Sequence, residues 1–563
     1  MKVVIVGGVA GGATAAARIR RLDESAEVIV FERSGYISYA NCGLPYYISG
    51  VIEDGNELTL QTPESFDERF RVDMRVHHEV TAIHPERKTV SVKNLETGAE
   101  FEESYDKLLL SPGAKPTQPK LPGIGLDKLF TLRTVEDTFR IKNYIDKHKP
   151  KSAVLAGGGF ISLEVAENLR ELGLEVTIVQ RPKQLMNPFD ADMAAFIHAE
   201  MRRHGVKLAL GHTVEGFEEK NGGVDVLLKD AAPLHADMVV LAIGVSPEST
   251  LAREAGLALG VKGSILVNDR METSLPDIYA VGDAVQVKHL VTGEDTVIAL
   301  AGPANKQGRI AADNICGGDS RYKGSQGSSV LKVFDLTAAA TGINETGAKK
   351  AGLNVDKVIL SPMSHAGYYP GGKVMTMKVV FEKETYRLLG AQIVGYEGVD
   401  KRIDVLATAI RCGMKATELK DLELAYAPPY SSAKDPVNMA GFMVENIAKG
   451  LVKQWYLEEV KTLPRDGSVL LLDTRTPGEF AQGHFEGFVN IPVDELRQRL
   501  CELERGKPVY VSCQSGLRSY IACRILAGKG FDCYNFTGGY RYYAAVEQDR
   551  CLIEQSTACG MDK

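Results

Sequence analysis

Short apolar segments alternate with amphipathic stretches through the first half of the chain. Residues 2–22 (KVVIVGGVAGGATAAARIRRL) combine an apolar strand pattern, a glycine-rich turn and a helical pattern, and the strand pattern VIVFE follows them. The same order returns in residues 152–173 (SAVLAGGGFISLEVAENLRELG), followed by VTIVQ. All-apolar strands that alternate with helices predict parallel sheets covered by helices. Two such units predict two Rossmann-like nucleotide-binding domains.

The pattern changes after residue 325. Residues 376–395 alternate apolar and polar positions around a polar turn, which is typical of an antiparallel hairpin, and residues 403–413 have helical spacing. Residues 446–455 (NIAKGLVKQW) are predicted to end a helix and form a linker. A further α/β pattern runs from residue 469 to 526. We therefore expect an α+β domain followed by a separate C-terminal α/β domain.

Composition narrows the class of protein. Lys and Arg number 66 against 73 Asp and Glu, a net charge of −7, which argues against a general nucleic-acid binder. Nine cysteines in 563 residues are too few for a disulfide scaffold. The chain has no signal-peptide pattern and no apolar run of about 18 residues, as a membrane span needs. We therefore expect a cytoplasmic protein with no membrane or nucleic-acid partner.

Two glycine-rich turns have the pattern of phosphate-binding loops. Gly157 and Gly159 begin one turn, in which Ser162 replaces the third glycine, and Gly7 and Gly12 hold the outer positions of the other. Such a turn lets the backbone approach a pyrophosphate, and the N-terminus of the following helix supplies N–H donors. Each turn is therefore a candidate dinucleotide site, although a tight turn without ligand has the same pattern.

The residue that ends the next strand bears on which dinucleotide binds. Glu32 lies 25 positions after Gly7, where a carboxylate accepts hydrogen bonds from ribose hydroxyls. Gln180 holds the corresponding place in the second unit and is followed by Arg181. A carboxylate there would favour NADH by binding the ribose 2′-hydroxyl and repelling a 2′-phosphate. Gln180 does neither strongly, and Arg181 would tolerate the additional phosphate of NADPH. We favour NADH as the nicotinamide, and NADPH stays open.

A further motif connects these turns to a known family. Residues 273–284 (TSLPDIYAVGDA) form a strand pattern that ends on Gly282 and Asp283. They resemble the second flavin-binding motif of the flavoprotein disulfide reductases with two dinucleotide-binding domains, in which the aspartate binds the ribityl chain and pyrophosphate of FAD. Residues 108–116 and 239–249 resemble the two crossover strands of that family. The resemblance implies bound FAD that is reduced by NAD(P)H.

Cys42 departs from the common pattern of the family. Most relatives have two cysteines five positions apart, whereas here Cys42 is alone and position 47 is Tyr47. A single thiol cannot store two electrons as an internal disulfide, so it needs an external partner in a mixed disulfide, a persulfide or a sulfenic acid. This resembles the single-cysteine branch of the family, which contains coenzyme A disulfide reductases, NADH oxidases and peroxidases, and persulfide reductases.

Resemblance to the coenzyme A disulfide reductases implies further site residues. It implies a coenzyme A channel lined by Thr14, Arg18, Arg21, Ser38, Asn41 and Arg71. Tyr368 and Tyr426 match two tyrosines that reach across a homodimer to protonate the departing thiolate, and Lys434 matches a substrate-contacting lysine. Plainer explanations exist for the same residues, namely a solvated helix face for the arginines and interface packing for the tyrosines.

The C-terminal region resembles a single rhodanese domain. Cys513 begins a C-x-x-G-x-R loop that runs into a helix, and the N–H groups of such a loop stabilise a thiolate or persulfide. Arg518 adds positive charge. The six residues from Cys513 through Arg518 are the sulfur-transfer length, one shorter than the loop of cysteine phosphatases. Asp473 and Arg475 match the structural ion pair of the domain.

These resemblances imply an α/β protein with four domains. They are an FAD-binding domain (1–112 and 247–322), an NAD(P)H-binding domain (113–246), an α+β dimerisation domain (323–446) and, after a linker (447–455), a rhodanese domain (456–563). The implied activity is NAD(P)H-driven reduction of persulfide, polysulfide or coenzyme A disulfide at Cys42, with Cys513 relaying sulfur. The alternatives are an NADH oxidase or peroxidase that uses a Cys42 sulfenic acid, and a sulfur carrier or sensor that is not a reductase. The oxidase alternative leaves the rhodanese-like domain unexplained.

Overall fold

The computed structural model describes residues 1–559 of the chain. Contacts divide the chain into two compact units, one formed by residues 1–182 with 205–327, and the other by 183–204 with the residues from 328 onward. Within the described range, no helix is both long and apolar enough to cross a membrane.

The first unit contains two five-stranded parallel sheets, as the apolar strand pattern predicted. In order of pairing, the first sheet consists of Ile278–Ala280, Lys107–Leu110, Lys2–Val6, Glu27–Phe31 and Asp73–Arg75. The second consists of Lys207–Leu210, Glu175–Gln180, Ser152–Ala156, Met238–Leu241 and Leu129–Phe130. The turns at Gly7 and Gly157 both follow the central strand of their sheet, so they open at its carboxyl edge.

Helices and small antiparallel sheets complete the first unit. The helices are Ala10–Leu22, Leu44–Ser49, Pro63–Phe70, Val135–His148, Phe160–Glu171, Thr250–Glu254 and Ala301–Ile315. The three-stranded sheets are His78–His84 with Thr89–Asn94 and Glu100–Ser104, and Val214–Lys220 with Gly223–Leu228 and Leu234–Ala236. The two-stranded pairs are Ala114–Pro116 with Val245–Pro247, and Val287–Lys288 with Asp295–Thr296.

The central strand of the first sheet is apolar because both of its faces are covered. Val3 and Ile5 pack in one hydrophobic cluster, while Val4 and Val6 pack in another. Burial of both faces is the usual situation of a parallel sheet, and it explains why these strands do not alternate with polar residues. The structure thus confirms the fold class and its physical cause.

The second unit begins with a five-stranded antiparallel sheet. Its strands, in order of pairing, are Ser329–Val333, Leu336–Gly342, Leu388–Gly395, Thr376–Glu382 and Val355–Leu360. Its helices are Ala191–Arg203, Glu345–Lys350, Val399–Arg411 and Pro436–Ala448. Thr376–Glu382 and Leu388–Gly395 form the predicted hairpin. The helix predicted at 403–413 starts four residues earlier, at Val399.

A five-stranded parallel sheet forms the C-terminal part of the second unit. Its strands are Lys453–Trp455, Cys533–Phe536, Val509–Ser512, Leu470–Asp473 and Val489–Asn490, and its helices are Pro477–Ala481, Leu517–Ala527 and Gly539–Cys559. The predicted linker is therefore too long, because residues 453–455 are an edge strand of this sheet. Trp455 fixes the strand: its ring is fully buried and lies 4.4 Å from the Phe536 ring.

A buried lysine lies at the centre of the second unit. Lys378 is 1% exposed, and its Nζ atom lies 3.0 Å from Asp190, 2.9 Å from Asp192 and 2.9 Å from Glu345. Burial alone would lower the pKa of Lys378, but the three carboxylates outweigh burial and raise it. The ammonium group is therefore charged and balanced by carboxylates from two separate chain segments.

The same cluster continues into the C-terminal domain. Lys357 Nζ lies 2.8 Å from Glu345 and 2.6 Å from Glu458, and the Tyr542 hydroxyl donates to Asp192 at 2.5 Å. Glu458 and Tyr542 belong to the C-terminal domain, whereas Glu345 and Lys357 belong to the antiparallel sheet and its helices. A charge network that runs from the buried Lys378 to the exposed Glu458 therefore joins the two halves of the second unit.

Candidate active site

The first glycine-rich turn leaves a helix N-terminus without a cap of its own. Gly7 has φ +97°, and a Cβ there would lie 2.1 Å from the carbonyl oxygen of Ser111, so only glycine fits. The helix Ala10–Leu22 has no side-chain cap and no acidic residue in its first turn. Its first N–H groups are thus available to an anion, which is the requirement for binding a pyrophosphate.

Glu32 lies beside this turn and is held by it. The carboxylate is buried and accepts hydrogen bonds from the N–H groups of Gly8 and Ser34, both at 2.9 Å. A carboxylate has room for more acceptor bonds than these two. The position of Glu32 at the end of its strand therefore fits the predicted ribose contact.

Asp283 stands on a short turn after the strand Ile278–Ala280. Its carboxylate accepts from Arg133 Nη2 at 2.7 Å, and the N–H of Gly282 donates to Gln307 at 2.7 Å. A Cβ on Gly282 would make only ordinary contacts, 3.8 Å from the Ser111 hydroxyl oxygen and 3.9 Å from the Ala304 Cβ atom. Arg133 and Gln307 could not be identified from the motif, because both lie far from Asp283 along the chain.

These features fit FAD, with an uncapped helix for its pyrophosphate, Glu32 for a ribose and Asp283 for the second flavin-binding motif.

The second glycine-rich turn, at Gly157, has the same features. A Cβ on Gly157 would lie 2.2 Å from the carbonyl oxygen of Ala242, whereas Gly159 borders open space. The helix Phe160–Glu171 that follows is likewise uncapped and free of acidic residues in its first turn, which fits a nicotinamide dinucleotide.

Ser162 explains the missing third glycine of the second turn. Its hydroxyl donates to the carbonyl oxygen of Gly157 at 2.6 Å, so a small polar side chain closes the turn in place of close backbone packing. Gln180 ends the adjacent strand, as predicted, and is half-buried. The choice between NADH and NADPH stays a prediction.

Cys42 is a free and exposed thiol in the first unit. It lies on a single helical turn, Asn41–Gly43, that leads directly into the helix Leu44–Ser49. Burial of its surroundings raises the pKa of Cys42, the charge of Glu164 raises it further, and Arg133 lowers it. The thiol is thus accessible to an external sulfur compound, and nearby charges control its ionisation.

Glu164 is a residue that the sequence did not single out. Burial raises its pKa to about 7, the charge of Glu167 adds to this effect, and a hydrogen bond from the Tyr46 hydroxyl opposes it. A carboxyl with this pKa is protonated in about half of the molecules near neutral pH. Its position within electrostatic range of Cys42 makes Glu164 a candidate proton reservoir for thiol chemistry.

Three of the predicted coenzyme A contacts share one face of the helix Ala10–Leu22. The Thr14 hydroxyl donates to Asn305 at 2.5 Å, and Arg18 Nε lies 2.8 Å from Asp313, both on the helix Ala301–Ile315. Arg21 is exposed. Two of the three side chains thus have protein partners, and the charge of Arg18 is balanced by a carboxylate.

The other predicted channel residues flank Cys42 or end a helix. Ser38 has φ +44° and donates its N–H to the carbonyl oxygen of Gly8 at 2.9 Å, while Asn41 precedes the thiol and is half-buried. Arg71 ends the helix Pro63–Phe70 with φ +47° and has an exposed side chain. Binding of coenzyme A by this set stays a prediction.

Tyr368 and Tyr426 form a pair on the surface of the second unit. Their hydroxyl oxygens lie 2.7 Å apart although 58 residues separate them in the chain. Tyr368 is 76% exposed and Tyr426 46%, and their hydrogen bond raises the pKa of Tyr426. Lys434 is exposed as well. Two hydrogen-bonded phenols open to solvent are ready to contact another molecule.

Cys513 is the second candidate nucleophile, in the C-terminal domain. Its Sγ atom is buried and accepts hydrogen bonds from the N–H of Gly516 at 3.1 Å and from the Ser519 hydroxyl at 3.2 Å. Gly516 has φ +95°, which turns its N–H toward the sulfur. One N–H of the loop therefore donates to the sulfur, and Ser519 is a further donor that the sequence pattern did not identify. Anion binding by this loop stays a prediction.

Charged residues beside this loop occur in pairs. Arg475 Nη2 lies 2.7 Å from Asp473, and both side chains are buried, which is the predicted structural ion pair. Arg518, predicted to contribute positive charge, contacts both carboxylate oxygens of Glu479 at 2.7 Å. The charge of Arg518 is thus balanced, a feature that the loop sequence alone did not reveal.

Known families match nearly the whole chain. Residues 1–308 match the pyridine nucleotide-disulphide oxidoreductase family, residues 328–436 match the dimerisation domain of that family, and residues 456–545 match the rhodanese-like domain. These matches confirm the resemblance inferred from the motifs. They also agree with the parallel, antiparallel and parallel sheets found in that order.

Individual relatives agree with the family matches. The coenzyme A disulfide reductase of Staphylococcus aureus is 39% identical over 442 residues, which cover 78% of this chain and 99% of that protein. The structure of reduced Bacillus anthracis CoADR-RHD is 50% identical with a TM-score of 0.95 and 98% coverage of both chains. An NAD-dependent persulfide reductase from A. fulgidus is 37% identical with a TM-score of 0.90, over 96% of this chain and 100% of that one. The chain therefore belongs to the pyridine nucleotide-disulphide oxidoreductases.

Proposed function

We propose that this oxidoreductase uses NAD(P)H to reduce sulfane sulfur and coenzyme A disulfides at Cys42, releasing sulfide and thiol. The observation that carries the proposal is an exposed thiol, without a second cysteine five positions away, in a unit with two uncapped glycine-rich turns. The chain also has a second candidate nucleophile, the buried Cys513. The names of the relatives, a coenzyme A disulfide reductase and a persulfide reductase, support the same substrates.

The two glycine-rich turns would bind different cofactors. Gly7, Gly12, Glu32 and Asp283 would hold FAD, and the turn at Gly157 would hold NADH. Bound FAD supplies a carrier that takes two electrons from the nicotinamide and gives them to sulfur. The residues around Cys42 would position its thiol, control its protonation and keep other reactants away from it.

Cys42 provides the nucleophile of the reaction. Its thiolate attacks a sulfur of the substrate, so that one S–S bond breaks, one forms, and the departing thiolate leaves with the electron pair. Cys42 is then a mixed disulfide or persulfide. Two electrons from the nicotinamide and the required protons reduce it, which releases the second thiol or sulfide and restores the thiol.

The remaining predicted residues complete the proposal. Arg18, Arg21 and Arg71 would contact the phosphates of coenzyme A, with Thr14, Ser38, Asn41 and Lys434 as further contacts. Tyr368 and Tyr426 would act across a homodimer, where a phenol protonates the departing thiolate. The matched dimerisation domain and the solvent exposure of the tyrosine pair support this arrangement.

A comparison of electron acceptors tests the proposal. With NADH and then NADPH as donor, turnover is measured with coenzyme A disulfide, coenzyme A persulfide, polysulfide, oxygen and hydrogen peroxide. We expect the sulfur compounds to be reduced at least about tenfold faster than oxygen or peroxide, because Cys42 forms bonds to sulfur. Faster turnover of oxygen or peroxide would establish the oxidase alternative instead. Failure of NADH to bleach the bound flavin would favour the carrier or sensor.

The relay through Cys513 is tested in the same assay. Cys513→Ser is expected to slow reduction of polysulfide and persulfide carriers several-fold and to leave reduction of coenzyme A disulfide unchanged, because that substrate brings its own S–S bond to Cys42. Cys501→Ser, which removes an exposed thiol of the same domain, serves as the control. Unchanged turnover with every persulfide and polysulfide would show that Cys513 is not in the pathway.

Glu164 gives the reaction a pH dependence that can be measured on the thiol itself. Glu164 has a pKa of about 7, so it is neutral below that pH and anionic above it, where its charge disfavours the Cys42 thiolate. We expect Glu164→Gln to move the midpoint of Cys42 alkylation by iodoacetamide to lower pH by about half a unit to one unit. Exposed Glu171 on the same helix supplies the control variant Glu171→Gln. An unmoved midpoint would exclude Glu164 from this role.

A further inference from the structure

The loop that carries Cys513 lies among charges that cancel. Arg518 donates from Nη1 and Nη2 to the two oxygens of Glu479, both at 2.7 Å, in a bidentate ion pair. Arg475 is paired with Asp473 at 2.7 Å. Each of these guanidinium groups therefore faces a carboxylate of its own, and neither adds a net positive charge beside the sulfur.

Glu479 is fixed in this position by a second set of bonds. The N–H and hydroxyl of Thr476 donate to Glu479 Oε2 at 2.9 and 3.0 Å, and the N–H of Glu479 donates to the Thr476 hydroxyl at 3.3 Å. This capping box begins the helix Pro477–Ala481. The bonds from Arg518 and then from Thr476 hold the pKa of Glu479 at about 2, so it is ionised at neutral pH.

The groups that contact the sulfur are uncharged. Sγ of Cys513 accepts from the Gly516 N–H and the Ser519 hydroxyl, and Leu517, between Gly516 and Arg518, is 64% exposed. An approaching sulfur donor therefore meets neutral hydrogen-bond donors, an apolar side chain and a compensated arginine. A small dianion such as thiosulfate therefore gains little electrostatic binding free energy here. An organic persulfide, whose organic part is neutral, loses little binding free energy in the same place.

We propose that Glu479 sets the donor specificity of Cys513, by cancelling the Arg518 charge that would otherwise bind thiosulfate, in favour of sulfane sulfur carried on an organic thiol. The proposal rests on the sulfur-transfer role of Cys513. In the transfer, the Cys513 thiolate takes the terminal sulfur, forming one S–S bond as another breaks. The organic thiolate, or sulfite in the case of thiosulfate, leaves with the electron pair, and no external oxidant or reductant is needed.

The test measures kcat/KM for sulfur transfer to cyanide from thiosulfate and from pantetheine persulfide, using the full-length protein without NADH. Glu479→Gln keeps an acceptor for the capping box and removes only the charge. We expect it to raise kcat/KM for thiosulfate about tenfold and that for pantetheine persulfide by less than about threefold, since a dianion responds most to an uncovered arginine. Glu479→Gln combined with Arg518→Met should return kcat/KM for thiosulfate to the wild-type value.

Several outcomes would overturn the proposal. These are an unchanged kcat/KM for thiosulfate in Glu479→Gln, an equal rise for both donors, or a rise that persists in the double variant. Glu486→Gln, at an exposed position of the same domain, controls for a general change in surface charge. Since the assay needs neither Cys42 nor NADH, it is independent of the reductase proposal. A wild-type protein that takes sulfur from neither donor would instead remove the basis for any role of Cys513 in sulfur transfer.

Discussion

Cys42→Ser is expected to abolish NAD(P)H-driven reduction of coenzyme A disulfide and of persulfides, with a loss of about a thousandfold or more in kcat. A serine hydroxyl neither attacks a disulfide at neutral pH nor carries a sulfur atom, so the first bond-forming step is lost. The measurement follows NADH oxidation with each substrate in excess. Bound flavin in the variant should still be bleached by NADH, since the nicotinamide turn is untouched.

A control variant makes this result specific. Cys412→Ser removes another exposed thiol and should keep wild-type turnover. Residual turnover of Cys42→Ser above about a tenth of wild type would contradict the proposed role of Cys42.

The same variant tests whether the active site is shared between subunits. A dimer of one Cys42→Ser chain with one Tyr368→Phe, Tyr426→Phe chain contains one site with both the thiol and the phenols, if these come from different subunits. Random exchange of subunits between equal amounts of the two inactive proteins makes half of the dimers mixed, each with one active site of two, so mixing should then restore about a quarter of the wild-type activity. If the groups act within one chain, mixing restores none.

Lys378→Met is expected to have the largest effect on stability. Lys378 is 1% exposed among Asp190, Asp192 and Glu345, so its removal takes away the cation that these three carboxylates share. Glu345 keeps its ion pair with Lys357, whereas Asp190 and Asp192 lose the cation between them. Breaking a buried ion pair from one side typically costs about 3–5 kcal/mol in the free energy of unfolding. Urea unfolding, monitored for the second unit by the fluorescence of its buried Trp455, measures the change.

A matched substitution distinguishes the effect of losing a buried charge from the effect of losing a lysine in general. Lys383 lies on the turn beyond the same strand and is exposed, so Lys383→Met should change the free energy of unfolding by less than about 0.5 kcal/mol. Similar destabilisation by the two variants would show that the carboxylates around Lys378 are satisfied without it.

Local motifs were predictable because each needs only neighbouring residues. Gly7 and Gly157 adopt positive φ in the turn between a strand and the helix that follows it, so the local strand–turn–helix pattern identifies them. Cys513 and Gly516 lie within one loop whose length and composition determine the hydrogen bond between them. The buried parallel strands were recognisable because burial on both faces excludes polar residues.

The features that sequence did not reveal depend on pairs that are distant in the chain. Glu164 has an ordinary helical position, and its raised pKa comes from burial and from the charge of Glu167. Glu479 forms an ion pair with Arg518, which lies 39 residues away in the chain. Tyr368 is hydrogen-bonded to Tyr426, which lies 58 residues away. No periodicity encodes such pairings. The predicted linker is too long for the same reason, because the Trp455 ring packs against the Phe536 ring only in the folded sheet.

The charge network around Lys357 also constrains how the rhodanese-like domain can move. Glu458 and Tyr542, near the two ends of the rhodanese-like domain, are fixed to Lys357 and Asp192 by buried or half-buried bonds. A domain secured at two such points is not a swinging arm on a flexible tether. Any rotation of this domain away from the antiparallel sheet would therefore have to break both contacts.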